Sequence, residues 1–159
     1  MTIEIPNSAD LDALALARRS GWPENLRVLV ARYPREQWDA HPNLGEMARF
    51  WLSRHDMFRE LSDAIEQIAA LFRAGKLPPE EFARQFVPRL QFMLDQLNVH
   101  HQIEDLHYFP IFRAADDRLA RGFDVLEGDH HHIHADMART AGTENALLRS
   151  LQGGGDTMR

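Results

Sequence analysis

A four-and-three rhythm runs from Phe86 to His107. Phe86, Leu90, Met93, Leu97, His100, Glu104 and His107 follow one another at steps of four, three, four, three, four and three. Such steps keep one face of an α-helix turned toward a neighbour, so the stretch predicts a long helix packed in a helical bundle. The seam is apolar until it reaches His100 and Glu104, where ligand-type side chains replace the leucines of a plain core. A buried polar group without a partner costs ~1–3 kcal/mol. A bound cation is one partner that satisfies imidazole and carboxylate together.

Two further helices answer this one. Met47, Trp51, Phe58, Leu61, Ile65, Ile68 and Phe72 form an apolar stripe, with His55 on it. Asn43 and Glu46 have the spacing of a capping box before that helix, and Gly75 suits a left-handed cap after it. The middle helix is expected to open at Pro78-Pro79-Glu80-Glu81, to break or kink at Pro88, and to bend or end at Pro110. Asp116 and Asp117 offer N-caps for a third helix. Its stripe is Leu119, Phe123, Leu126, His130, Ile133/His134, Met137 and Ala141, with Leu147, Leu148 and Leu151 extending it and an interruption expected near Gly122. Before residue 43 the chain reads as short helical pieces, one capped at Asn7 or Ser8 and running to about Arg19, another near Leu26–Val30 that Pro34 ends.

Spacing brings the polar positions to one level. The first turn is centred near Leu77 and Pro78, with His55 about 22 residues before it and His100 about 22 after. An antiparallel hairpin sets those two side by side. The next connection is centred between Glu104 and His130. Residues four apart on a helix share a face, so His100 pairs with Glu104 and His130 with His134. The expected metal ligands are His55, His100, Glu104, His130 and His134. Helical phase turns His101, His131 and His132 outward. His107 reads as an outer-sphere group or spare ligand, and Tyr108 and Phe109 as packing residues.

Composition narrows the metal and the partners. Of nine histidines, seven lie between residues 100 and 134, and there is no cysteine. Without thiolate, imidazole and carboxylate suit iron, zinc or manganese. The net charge is −6 and Lys76 is the single lysine, so no nucleic acid or membrane surface is an expected partner. No leader segment and no apolar run of ~20 residues stands out, and a cytoplasmic location is expected.

The sequence also resembles a known family. His100-His101-Gln102-Ile103-Glu104-Asp105, followed by Tyr108-Phe109-Pro110, is similar to the HHE signature of hemerythrin-like proteins. Phe50-Trp51-Leu52-Ser53-Arg54-His55 resembles that family's first-helix histidine motif, and Asp129-His130 through His134 its third-helix motif. The resemblance covers about residues 44–141. It implies an all-α, up-and-down antiparallel four-helix bundle around a di-iron centre, with dioxygen or a similar small diatomic ligand as the partner, or a role in iron handling. His55, His100 and His130/His134 would be imidazole ligands, and Glu104 a carboxylate bridging both irons. The family's fourth helix carries a further His and carboxylate, and this chain has no histidine after His134. The expectation is a truncated bundle whose open face pairs with another copy, as a homodimer, or with the N-terminal segment.

The organisation expected is therefore an N-terminal helical cover (1–42), a hemerythrin-like bundle (43–151) and a flexible end (152–159). The functional expectation is a non-catalytic metal-binding domain that binds or senses dioxygen. One alternative is a ferritin-like di-iron oxidoreductase using Glu104-Asp105-Leu106-His107 and Glu127-Gly128-Asp129-His130. Another is a helical interaction module with structural zinc or no metal.

Overall fold

The first long helix, Glu46–Arg73, contains neither glycine nor proline and is rich in Ala, Leu, Glu and Arg. These residues lose little freedom on becoming helical. The structure is a computed structural model that describes residues 13–153, and among these residues it is all-α, with no strand. Its α-helices are α1 (Val28–Arg32), α2 (Glu46–Arg73), α3 (Pro79–Ile103), α4 (Phe109–Ala115) and α5 (Ala120–Gly153). A π-helical turn, Glu104–Tyr108, joins α3 to α4, and short 3₁₀ turns lie at Glu24–Leu26, Arg35–Gln37 and Asp117–Leu119. No described helix is long and apolar enough to cross a membrane. By their contacts the residues form two compact units, one of the chain up to Asn43 with His101–Ala135, the other of Leu44–His100 with the chain from Asp136.

In the second unit, α2 and α3 make a hairpin. Gly75, at φ +66°, closes α2 as expected. Its N–H reaches the Phe72 carbonyl, and the Lys76 N–H reaches the Leu71 carbonyl, the paired bonds of a Schellman motif. Phe58, Ile68, Phe82 and Leu90 are buried, and the rings of Phe72, Phe82 and Phe86 stack at centroid distances of 4.2 and 4.7 Å. Met47, expected on the apolar stripe, is instead exposed.

The helix ends depart from expectation in two places. Gly45, not Asn43, is the N-cap of α2, and no side chain caps it. The Asn43 backbone N–H donates instead to His41 Nδ1 at 3.2 Å. Pro88 does not break α3, which is continuous from Pro79. Proline removes the bond to the Arg84 carbonyl, but both residues lie on the exposed face, where water can take that carbonyl.

In the first unit, residues from Leu14 to Arg19 turn rather than remain helical, with Leu14 buried. The cap expected at Asn7 or Ser8 lies outside the described residues, as do the side chains of Leu147, Leu148 and Leu151 and the end from Gly154. The N-terminal segment is tied to α5 by Arg19, whose guanidinium donates to both Asp129 oxygens at 2.8 and 2.5 Å and to the Leu14 carbonyl. That guanidinium also lies 4.6 Å over the Trp22 ring. Asp129 holds its proton affinity above the ordinary arginine value, chiefly through the hydrogen bonds. Phe109 and Val125 are buried, and Phe109 meets Phe123 at 4.8 Å. Asp116 caps the turn before α5, accepting from the Arg118 backbone N–H at 3.0 Å, and α5 runs past Gly122 without interruption.

Two predictions follow from these ion pairs. Arg19→Leu leaves a carboxylate with only 8% of its side chain exposed and no partner charge. It should lower stability by ~3 kcal/mol, read as a shift in the urea midpoint; an unchanged midpoint would show that the N-terminal segment is not anchored this way. The Arg118 guanidinium and, second, its backbone N–H hold the Asp116 carboxyl at about 2, below its ordinary 3.8. A carboxylate held down in this way stabilises the native state above the unfolded value and loses that contribution as pH falls through the folded one. The stability gap between the protein and Asp116→Ala should therefore close between pH 3.8 and about 2, measured by denaturation across that range.

Candidate metal centre

His55 and His100 meet inside the second unit, as the hairpin arithmetic requires. His55 Nδ1 lies 2.9 Å from the Trp51 carbonyl, one turn back on α2. A carbonyl can only accept, so Nδ1 carries the proton and Nε2 keeps its lone pair. That Nε2 lies 3.3 Å from His100 Nε2. His100 is 4% exposed, stacked on Trp51 at 4.6 Å and met by the edge of Phe58 at 5.2 Å. The aromatic walls fix its ring plane and keep water from it.

Glu104 and His130 meet inside the first unit. Both are buried, and His130 Nε2 lies 3.5 Å from Glu104 Oε2. The other ring nitrogen, Nδ1, is 2.7 Å from Asp105 Oδ1. Asp105 therefore accepts the hydrogen bond from Nδ1, and the ring so held turns Nε2 toward Glu104. A carboxylate behind an imidazole is the usual outer partner of a metal-ligating histidine. Phe109 lies against the same ring at 5.5 Å.

The 3.3 and 3.5 Å separations fit ligands better than hydrogen bonds. Most hydrogen bonds to nitrogen fall between roughly 2.7 and 3.2 Å. Two donors each bound at roughly 2.0–2.1 Å to one tetrahedral ion stand about 3.3–3.4 Å apart. Glu104 follows His100 by one turn of the same unbroken helical run, and His55, His100 and Glu104 form a group able to hold a metal ion. The donor set, imidazole with carboxylate and no thiolate, fits iron, zinc or manganese. Among the described residues, no third donor converges as closely on His130 and His134.

The remaining histidines divide unexpectedly. His131 and His132 are exposed, as helical phase requires. His101 is not turned outward: it is 4% exposed, stacked on His130 at 3.9 Å and 12°, with Nδ1 3.4 Å from His134 Nε2. Neighbouring residues on a helix point ~100° apart. His100 finds its neighbours on α2 and His101 on α5, so both are covered. A middle helix contacted from two sides buries a wider arc than a single seam predicts.

His107 is exposed and so is neither an outer-sphere group nor a spare ligand. The cause is the π turn at Glu104–Tyr108. It adds a residue to one turn, so the buried position after Glu104 becomes Phe109, five residues on. Sequence reasoning missed His101 and Asp105. Their signals were the histidine next to the seam on a middle helix and the second carboxylate beside Glu104.

The model of the hemerythrin HHE cation binding domain matches residues 46–156. Searches of curated proteins and of solved structures returned no match. The match takes in α2, α3, α4 and all of α5, together with His55, His100, Glu104, His130 and His134, and the chain belongs to the hemerythrin HHE cation-binding family.

Proposed function

We propose that this domain holds iron, as a di-iron centre, and binds or senses dioxygen or a similar small diatomic ligand. The observation that carries the reading is the pair of donor contacts, His55 Nε2 to His100 Nε2 at 3.3 Å and His130 Nε2 to Glu104 Oε2 at 3.5 Å. In each, a hydrogen bond at Nδ1 leaves Nε2 of one imidazole as the lone-pair donor. When bound, iron supplies the open coordination position and the redox electrons that dioxygen binding needs. The chain's own part is to orient the donors and exclude water. The Trp51 carbonyl and Asp105 hold the Nδ1 protons, while Trp51, Phe58 and Phe109 cover the rings.

The ferritin-like alternative fits less well. It needs His107 beside Glu104, and His107 is exposed. It also needs Glu127, which lies 3.0 Å from the Arg113 guanidinium in an ion pair.

Metal content of iron-loaded protein is the first test. His55→Ala should lose iron, and the wild-type protein should change its visible absorption on addition of dioxygen or nitric oxide. Iron-loaded protein that shows no such change on either gas would remove the diatomic reading. A melting temperature indifferent to chelator would remove metal binding altogether, since a ligand of the native state must stabilise it. Asp105→Asn tests the outer carboxylate separately. It should weaken metal binding about 10–100-fold in a competition titration while the metal-free protein melts as before.

A further inference from the structure

Away from the metal donors, the first unit holds a cavity of about 510 Å³. Trp22, Leu26 and Val30 of the N-terminal segment line it, together with Leu119, Phe123 and Leu126 of α5 and the turn before it. Pockets for small molecules are of this kind, roughly 300–1,000 Å³ and mostly apolar, with a few polar groups. Ion pairs hold the elements that carry these residues. Arg19 joins the segment to Asp129 and lies 4.6 Å over the Trp22 ring, and Arg118 is held by Asp116. Trp22 and Val30 remain 38% and 44% exposed, apolar surface that a ligand in the cavity would remove from water. Gly122 also lines the cavity, and a Cβ placed on it would meet nothing within 4 Å.

A second recess, of about 530 Å³, adjoins the first and shares Gly21, Trp22 and Arg27 with it. Its character is opposite. Arg18, Arg19 and Arg27 line it, and no acidic residue does. Arg19 is committed to Asp129, whereas Arg27 is exposed and lines both spaces. We propose that the two form one binding site for a small, soluble amphipathic carboxylate, with its apolar part in the chamber and its charge on Arg27. Two observations carry the proposal. An apolar chamber is continuous with a cationic recess, and Arg27 stands where they join. A guanidinium there can pair with both oxygens of a carboxylate, while the chamber supplies the apolar contact. None of the metal donors lines either space, so the site is additional to the metal centre and does not depend on it.

The test uses the full chain with decanoate as the probe and decanol as its uncharged counterpart, followed by titration calorimetry and tryptophan fluorescence. The wild-type protein should bind one equivalent of decanoate, and decanol more weakly. Arg27→Gln should weaken decanoate about 10-fold or more, the scale of a lost hydrogen bond to a charged group, and leave decanol unchanged. Gly122→Leu puts a side chain into the chamber and should abolish binding of both probes. It should not lower the melting temperature, because leucine is the better helix former. His55→Ala should bind decanoate as the wild type does, so the metal reading and this one fail separately. A wild-type chain that binds no decanoate, or a Gly122→Leu chain that binds it unchanged, would overturn the proposal. Equal affinity for decanoate in Arg27→Gln would remove the carboxylate from it. Binding to phosphatidylglycerol vesicles without binding of decanoate would assign the arginines to a lipid surface and overturn it as well.

Discussion

An imidazole can ligate a metal only through a nitrogen that carries no proton, and in a buried site the protein must decide which nitrogen that is. Here the decision is made twice, by different means. On α2 the Trp51 carbonyl, one turn back, accepts from His55 Nδ1 at 2.9 Å. On α5 the acceptor for His130 Nδ1 comes from elsewhere in the chain, the Asp105 carboxylate at 2.7 Å. A carbonyl supplied by the helix itself needs no further residue, but it gives no added negative charge. A carboxylate raises the basicity of the ring it holds and ties α5 to the residues just after α3. The two histidines are thus held with different electronic character.

The π turn is the second constraint, and it serves the first. Glu104 begins it and Tyr108 ends it. Without the added residue, the helical phase after Glu104 would bring His107 or Tyr108 into the core. With it, Phe109 becomes buried against His130 and Phe123. Pro110 follows at the second position of α4, within the first turn, where proline is tolerated because the first-turn N–H groups have no partner within the helix. A lone proline in a continuing α-helix would clash with the carbonyl four residues back. The wider turn and the proline are therefore consistent with one another, and the turn begins at Glu104 itself.

What the sequence disclosed and what it hid follow from these two constraints. Repeating steps of three and four report a regular helix facing one neighbour, and they located α2, α3 and the level at which His55 meets His100. Equal spacing from the turn was enough for that, because both helices keep their period between residues 55 and 100 despite Pro88. Periodicity carries no information about a turn that adds one residue, so it misplaced His107. A single seam also understates a helix with neighbours on two sides, so it sent His101 outward. The Asn43 capping box failed for a local reason: the Asn43 N–H that Glu46 would have bonded is engaged with His41 Nδ1, and the helix starts three residues later at Glu46, with Gly45 as its N-cap.

The Arg19–Asp129 pair bears on the same centre from outside. Asp129 precedes His130 on α5 and is itself buried, so the rotation of α5 that presents His130 also turns a carboxylate inward. Arg19 satisfies both oxygens of that carboxylate, which otherwise would compete as an acceptor for nearby imidazole protons. The assignment of roles then becomes clear. Asp129 is committed to a guanidinium and Asp105 to His130 Nδ1, while Glu104 lies 3.5 Å from His130 Nε2, where the proposed metal reading calls for a carboxylate. Three acids lie close to this histidine in space or sequence, and partner choice, more than proximity, distinguishes the one suited to a metal.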